Sequence, residues 1–189
     1  MSDLTDILRK VSSGEDPNAA NELMNAVYEK LHDLAVGTMR RQPPGHTCQP
    51  TDLVHELWLK LFGKAPNRNF ASQKHFFCTA AKAMRQILVG YARRRDAKKR
   101  GERVNMSTTE FANLAHEAPD ELLLAVDEAL DLFKKKHERT ATLIELKFFM
   151  GLPMEECAKV LGISLRSAEK HYTFFKAWFC LEFGNEMSH

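Results

Sequence analysis

The densest group of charged residues in this 189-residue chain is cationic and follows residue 92. Seven basic residues stand against two acidic ones between Arg93 and Arg103. Such a group attracts a phosphate backbone, with an affinity that falls steeply as salt rises. The alternative is a solvated helix end, where the helix dipole already favours cations. The density exceeds what the dipole requires and therefore favours a nucleic-acid surface. Its expected members are Arg93, Arg94, Arg95, Lys98, Lys99 and Arg100.

A second set of polar residues lies on the helix predicted from Ser164 to Phe183. Its apolar residues recur with helical spacing and predict one buried face. They are Ala168, Tyr172, Phe175 and Phe179. The side chains left largely outward could contact phosphates or base edges. They are Arg166, Ser167, Lys170, Thr173 and Lys176. The alternative is an ordinary three-helix core with solvated charges.

Residues for covalent chemistry are not grouped in any motif of an enzyme that we recognise. The eight histidines are dispersed, and neither a glycine-rich phosphate loop nor H-E-x-x-H nor G-x-S-x-G occurs. His55-Glu56 lacks a second histidine, because Leu59 stands at its position. Isolated cysteines predict reduced core thiols rather than a disulfide framework or a zinc site. They are Cys48, Cys78, Cys157 and Cys180. We therefore expect no enzymatic activity, no cofactor and no bound metal.

Composition limits the cellular location of the chain and the classes of partner that it can bind. A net charge of only +2 means that any nucleic-acid surface must come from local clustering. The N-terminus, Met-Ser-Asp-Leu-Thr-Asp, is acidic and does not resemble a signal peptide. No run approaches the roughly 20 apolar residues that cross a bilayer. We expect a soluble cytoplasmic protein without a membrane partner.

The elements that would position these residues are all predicted to be helices, since helical periodicity dominates and no strand pattern is convincing. Residues 1–103 are predicted to form one helical domain, with helices that begin near Thr51 and Ser72. The polar segment 104–118 is predicted to be a flexible linker that lets two domains contact separate surfaces. Residues 119–189 are predicted to form a second domain. The expected fold is all-α with two small domains.

The second domain contains the pattern of a helix-turn-helix. Met154 to Ser164 reads as its first helix and turn, with the small residue Ala158 at the helix crossing. Pro153 suits the start of that helix, and Gly162 suits a left-handed exit from it. Ser164 can cap the following helix. In this motif the second helix enters the major groove of DNA.

The helix near Thr51 has an apolar face and a mixed-charge face. The outward residues are Asp52, His55, Glu56 and Lys60. Beside Trp58 such a face can dock a protein, but periodicity alone favours a solvated surface.

The order of these segments resembles the extracytoplasmic-function (ECF) group of the sigma-70 family of bacterial RNA polymerase sigma factors. Thr51 to Phe62 resembles the family helix that docks on the polymerase clamp. Phe76 to Arg95 is similar to the helix that faces promoter −10 DNA and ends in basic residues. Leu152 to Ser164 looks like the helix-turn-helix that reads the −35 element. The resemblance implies a two-domain promoter-specificity subunit whose partners are core RNA polymerase, promoter DNA and, in many members, an anti-sigma factor.

The resemblance also implies roles for particular residues. Asp52, His55, Glu56 and Lys60 would contact polymerase. Arg68, Asn69 and Phe70 would lie where the family captures a base flipped from the DNA, although Phe70 could equally be a core residue.

The predicted recognition helix departs from the family pattern. Its cations are fewer than usual, namely Arg166, Lys170, His171 and Lys176, and Phe174 occupies a face expected to be polar. Weak −35 affinity and a contact with a protein therefore both stay open. A stand-alone helix-turn-helix regulator is the alternative function.

Overall fold

The computed structural model describes residues 50–63, 70–96 and 120–183, together with single positions between 7 and 36. The regular elements of these residues are all helices, and no strand occurs among them. The all-α prediction is thereby confirmed. Several predictions lie outside the described residues: those on Cys48, Arg68, Asn69, Lys98, Lys99, Arg100 and the 104–118 linker. Of Arg95 only the backbone is described.

Helix α1, Pro50–Phe62, follows the apolar pattern of its sequence. Its buried residues are Leu53, Val54, Leu57, Leu61 and Phe62. The helix already includes Pro50, so Thr51 lies inside it and the prediction that Thr51 caps it was wrong. Proline is favoured in the first helical turn because its missing N–H would have no partner there. Of the residues before α1, Ile7, Val11 and Leu23 are buried.

Helix α2, Gln73–Asp96, begins where the sequence predicted. The Ser72 hydroxyl caps it by accepting a hydrogen bond from the backbone N–H of His75 at 3.1 Å. Its apolar and small side chains are buried over most of its length: Phe76, Phe77, Ala80, Ala81, Ala83, Met84, Ile87, Leu88, Val89 and Ala92. The helix packs against α1 and against elements of the second half of the chain, so it lies at the centre of the molecule.

The next three elements are α3, Asp120–Lys134, α4, Glu138–Ile144, and a π-helical turn, Glu145–Phe149. The sequence predicted a continuous helix to Met150, but the hydrogen-bond pattern widens at Glu145. The Met150 N–H donates to the carbonyl of Glu145 at 3.4 Å, five residues earlier. This wider turn buries four of its five side chains, and the carboxylate of Glu145 is among them.

The predicted helix-turn-helix is present as α5, Met154–Leu161, and α6, Leu165–Phe183. Gly162 has φ of 66°, the left-handed conformation that the sequence predicted. The Ser164 hydroxyl accepts the N–H of Ser167 at 3.1 Å and caps α6. Pro153 immediately precedes α5 rather than starting it. These local signals fix the angle at which α6 leaves the turn.

The two halves of the chain, which are the described residues up to Asp96 and residues 120–183, pack against each other. Helix α2 contacts α3, the π-helical turn and α5, and buried side chains from both halves form one core. The sequence predicted two domains on a flexible linker that contact separate surfaces; in this structure the halves contact each other. The predicted boundaries at residues 103 and 119 stay a prediction, since they lie outside the described residues.

Three of the cysteines lie in the helices, as their apolar surroundings predicted. Cys157 is buried, while Cys78 and Cys180 are half-buried, and all three thiols are free. Burial raises the pKa of Cys157 to about 12, which keeps this thiol protonated and unreactive at neutral pH.

None of the helices in the described residues is both long enough and apolar enough to cross a lipid bilayer.

Two glycines of contrasting geometry test the helix assignments. A Cβ on Gly90, inside α2, would meet no atom within 4 Å. We expect Gly90→Ala to raise the free energy of unfolding by about 0.5–1 kcal/mol, because alanine loses less backbone entropy in a helix. Gly162→Ala should lower it by about 1–2 kcal/mol, because alanine is strained in the left-handed conformation. Urea denaturation of both variants measures the difference. A loss of stability for Gly90→Ala would contradict the open space around it.

Candidate nucleic-acid interface

The basic end of α2, defined here as Arg93 and Arg94, is held in place by neighbouring groups. The guanidinium of Arg94 lies 4.8 Å from the centre of the Tyr91 ring, and its Nε donates to the carbonyl of Gly90 at 3.1 Å. The Tyr91 hydroxyl in turn donates to the carboxylate of Glu56 on α1. Both arginine side chains are exposed, as the sequence predicted. The basic end of α2 therefore presents two cations from a helix that is anchored to α1.

Arg93 also contacts the second half of the chain. Its Nη2 lies 3.0 Å from Oδ2 of Asp127 on α3, although the Arg93 side chain remains 68 % exposed. An exposed pair of this kind contributes little to stability. Arg93 could therefore exchange this carboxylate for a phosphate at small cost.

Arg85, two turns earlier on α2, is a largely buried, paired cation that the sequence did not predict. Its side chain is 11 % exposed and donates to the carboxylates of Asp127, at 2.7 Å, and Asp131, at 2.6 Å. It also donates to the carboxylate of Glu145, at 3.0 Å, and to the backbone carbonyl of Asp127, at 2.8 Å. Burial by itself would lower the pKa of Arg85, but the hydrogen bonds to Asp131 and Asp127 raise it. The guanidinium therefore stays charged.

We call Asp127, Asp131 and Glu145 the acidic cluster. Glu145 is almost fully buried, and its second oxygen, Oε2, has no hydrogen-bond partner among the residues that the structure describes. A cavity of about 390 Å³ lies at this junction between α2 and α3. Lys82, Gly90 and Lys134 line it together with Arg85, Arg93 and the acidic cluster. The contact between the halves is thus ionic at this edge and apolar in the shared core.

Phe70 precedes α2 and lies in the core. It is 3 % exposed, and its ring packs edge-on against Phe62 and Phe76, with centroids 5.7 and 5.2 Å away. His75 also contacts the ring. Between the two interpretations that the sequence left open, this geometry favours the core residue. A base could stack on Phe70 only if the ring left these neighbours.

The outward face of α1 is divided between solvent and α2. Asp52 and His55 are exposed, whereas Glu56 is half-buried and bonded to Tyr91. Lys60 is exposed and donates to the side chain of Gln86 on α2 at 3.3 Å. The exposed Leu59 lies on the same helix and adds an apolar group that the sequence analysis did not consider. Glu56 therefore orients α2 through Tyr91, while the other three predicted residues lie at the surface.

The predicted recognition helix α6 presents fewer outward groups than expected. Arg166 and Lys170 are exposed, but Lys176 is half-buried over the ring of Tyr172. His171 is half-buried too, with Nδ1 2.9 Å from the hydroxyl of the buried Thr140 on α4. His171 thus contributes to the packing of α6 on α4.

Two further residues of α6, one in its first turn and one in its middle, contact other side chains of the protein. The hydroxyl of Ser167 contacts the capping Ser164 at 2.9 Å, which ties Ser167 to the turn. Phe174, the unexpected aromatic residue, lies against Phe133 in the last turn of α3 and against His137, which follows that helix. The polar surface that α6 offers is consequently centred on Arg166 and Lys170.

Among the described residues, no group of three or more His, Cys, Asp and Glu side chains could hold a metal ion.

Comparison with known families gives one match. A family model described as ECF sigma factor matches residues 1–185, a range that includes both the basic end of α2 and the helix-turn-helix. No curated protein matches the chain. The match covers nearly the whole sequence and agrees with the order of segments described above.

Two substitutions separate the core role of Phe70 from a role in stacking on a base. Phe70→Ala should lower the free energy of unfolding by about 3–5 kcal/mol, because it removes a buried ring from an aromatic cluster. Phe70→Leu keeps an apolar side chain and should cost less than half of that, while it removes the stacking surface. Chemical denaturation measures the loss of stability. The yield of melted promoter complexes with Phe70→Leu measures the effect of losing the stacking surface. Normal stability of Phe70→Ala would contradict the core assignment.

Proposed function

Since the chain belongs to the ECF sigma factor family, whose members act in transcription initiation, we propose that it binds core RNA polymerase and directs it to specific promoters. The observation that carries the proposal is the family match over residues 1–185, which includes both halves of the chain. The exposed cations at the end of α2 and at the start of α6 are the groups that would contact DNA.

The basic end of α2 would face the −10 element. Arg94 is suited to this task because its side chain is exposed while its guanidinium is already held by the Tyr91 ring and the Gly90 carbonyl, so little rotamer entropy is lost on binding a phosphate. Arg68, Asn69, Arg95, Lys98, Lys99 and Arg100 are proposed to extend this surface. Phe70 would support it from the core.

Helix α6 would enter the major groove at the −35 element. Arg166 and Lys170 are one turn apart, and both are exposed. Arginine can read guanine with two hydrogen bonds, whereas lysine acts as a point charge toward guanine or phosphate. Ser167, His171 and Lys176 would act mainly by holding the helix, since each contacts another side chain of the protein. We expect the −35 contact to be weaker than the −10 contact.

The outer face of α1 would contact polymerase. Asp52, His55 and Lys60 are exposed there, and Leu59 is an exposed apolar side chain that a partner could bury. Glu56 would act indirectly, because its carboxylate holds Tyr91 of α2. The family also implies anti-sigma factors as partners. The proposed role requires no covalent chemistry from this chain, in keeping with a family of regulatory factors rather than enzymes.

Run-off transcription with core RNA polymerase and genomic DNA fragments tests the proposal. We expect the chain to direct initiation at a discrete set of start sites that core polymerase alone does not use. Tight sequence-specific binding to a promoter fragment by the chain alone, without any effect on core polymerase, would instead favour a stand-alone regulator.

On one of those promoters, the double substitution Arg93→Ala and Arg94→Ala should weaken open-complex formation and flatten its salt dependence. Each lost phosphate contact lowers the slope of log affinity against log salt by about 0.9. Lys74→Ala provides the control, because Lys74 is an exposed cation at the opposite end of α2. An unchanged slope for the double variant, or an equal change for Lys74→Ala, would contradict the assigned surface.

A further inference from the structure

A second dense group of cations lies where α3 ends and α4 begins. From Lys134 to Arg139 four basic residues stand against one acidic residue, Glu138. We call Lys135, Lys136 and Arg139 the turn cations. All three are exposed, and no ion pair joins them to a carboxylate among the described residues. Exposed cations at this density attract a phosphate backbone.

The backbone that carries the turn cations is fixed by hydrogen bonds. The N–H groups of Lys136 and His137 both donate to the carbonyl of Phe133, at 3.2 and 2.9 Å. The carbonyl of His137 accepts the N–H of Ala141 on α4 at 3.0 Å. The ring of His137 also packs on the ring of Phe133, with centroids 4.7 Å apart. A turn that is already ordered loses less entropy when it binds a ligand.

Two contacts place this turn beside the middle of α6. The ring of His137 lies edge-on to the ring of Phe174, with centroids 5.1 Å apart. Close by, the hydroxyl of Thr140 on α4 contacts Nδ1 of His171 at 2.9 Å. Phe174 follows Lys170 by one helical turn, which is about 6 Å along the axis. The turn cations therefore flank the part of α6 that comes directly after its outward cations.

Phe174 is an apolar group on the same side of α6 as Arg166 and Lys170. The three residues are spaced by four, so they share one face of the helix. Phe174 is 46 % exposed, and its ring rests on Phe133 with centroids 5.6 Å apart. It thus presents a supported apolar surface beside cations. In the major groove the apolar group that such a surface can contact is the 5-methyl group of thymine.

The charge around Phe174 favours DNA over a protein as the partner of this surface. In residues 135–139 and 166–174 the exposed lysines and arginines number five, and the exposed carboxylates number two. The core of a protein–protein interface is depleted of charged residues, above all of lysine. A protein–DNA interface is far more positively charged. An exposed aromatic ring within a group of cations therefore fits a DNA groove and its phosphates.

We propose that Phe174 and the turn cations form a second DNA contact beside α6. Phe174 packs on the methyl group of one thymine in the major groove, and the turn cations bind phosphates of the adjoining strand. The inference rests on the proposed function, because it adds a contact to promoter binding by α6. It accounts for the small number of cations on α6, since the turn supplies phosphate contacts that α6 itself lacks.

The phosphate contacts are tested on the full-length chain without polymerase. Fluorescence anisotropy measures binding to a fluorescein-labelled duplex of fixed sequence at several salt concentrations. Lys135→Gln combined with Lys136→Gln should lower the slope of log affinity against log salt by about 0.9 per lysine. The matched control, Lys10→Gln combined with Lys74→Gln, removes two exposed lysines from the first half of the chain and should leave the slope unchanged. Equal slopes for the two double variants would overturn the phosphate contacts.

The thymine contact is tested by removing single methyl groups from the DNA. The duplex is a promoter identified by run-off transcription or, if the chain initiates at none, a sequence that the chain alone selects from a random pool. Each thymine is replaced in turn by deoxyuridine, which lacks only the 5-methyl group. One replacement should weaken binding of the wild type about fourfold, as for the loss of one buried methyl group. The same replacement should leave the affinity of Phe174→Ala unchanged.

A second variant keeps this test decisive. Should Phe174→Ala lose its helical circular dichroism, Phe174→Gln replaces it, because glutamine keeps a long side chain on the helix but offers no apolar ring to the methyl group. We expect Phe174→Gln to be equally insensitive to deoxyuridine.

The outcomes separate this surface from its alternatives. The thymine contact is wrong if no deoxyuridine replacement changes the wild-type affinity, or if Phe174→Ala responds as the wild type does. Weaker binding of Phe174→Ala to core polymerase, with an unchanged response to deoxyuridine, would assign Phe174 to a protein interface instead. Both DNA contacts without initiation on any promoter would support this surface and contradict the proposed function.

Discussion

The structure depends on the burial of Arg85 in the middle of the central helix. A charged side chain that is only 11 % exposed must find partners for its charge and its donors, since an unpaired buried charge costs several kcal/mol. All the partners come from the second half, on α3 and the π-helical turn. Together with the shared apolar core, this requirement orients α3 against α2, and α3 in turn carries Phe133, which packs against Phe175 and Trp178 of α6. The position of the helix-turn-helix is thus linked to one side chain of α2.

The central helix combines two kinds of cation. Arg85 is buried and paired, whereas Arg94, roughly 13 Å further along the helix axis, is exposed and held only by groups of its own helix. Arg93 lies between these cases, since it is exposed and paired with Asp127. A partner that approaches the end of α2 first meets Arg94 and then competes with Asp127 for Arg93.

The parts of the fold that sequence predicted best are those set by local chemistry. Ser72, Gly162 and Ser164 begin or end helices where their side chains or backbone preferences indicate, and the apolar stripe of α2 is buried as predicted. The roles of the other residues depend on tertiary contacts with residues that are distant in the sequence. Periodicity could not show that Phe70 completes an aromatic cluster, that His171 contacts Thr140, or that Glu56 holds Tyr91. Arg85 follows the buried residues Ala83 and Met84 and precedes the buried Ile87 and Leu88, and this apolar setting of a cation was the available signal of an ion pair. Its carboxylate partners lie 42 to 60 residues away, so the sequence does not identify them.

A double-mutant cycle on Arg85 and Asp127 tests most directly whether this contact holds the two halves together. The free energies of unfolding of Arg85→Met, Asp127→Asn and the double variant are measured by urea denaturation at fixed ionic strength. The account predicts a coupling energy of about 1.5 kcal/mol or more, as expected for a hydrogen-bonded charged pair. The exposed pair of Arg93 and Asp127 should couple by less than about 1 kcal/mol. A coupling energy near zero for Arg85 and Asp127 would contradict the account, because the halves would then associate independently of this ion pair.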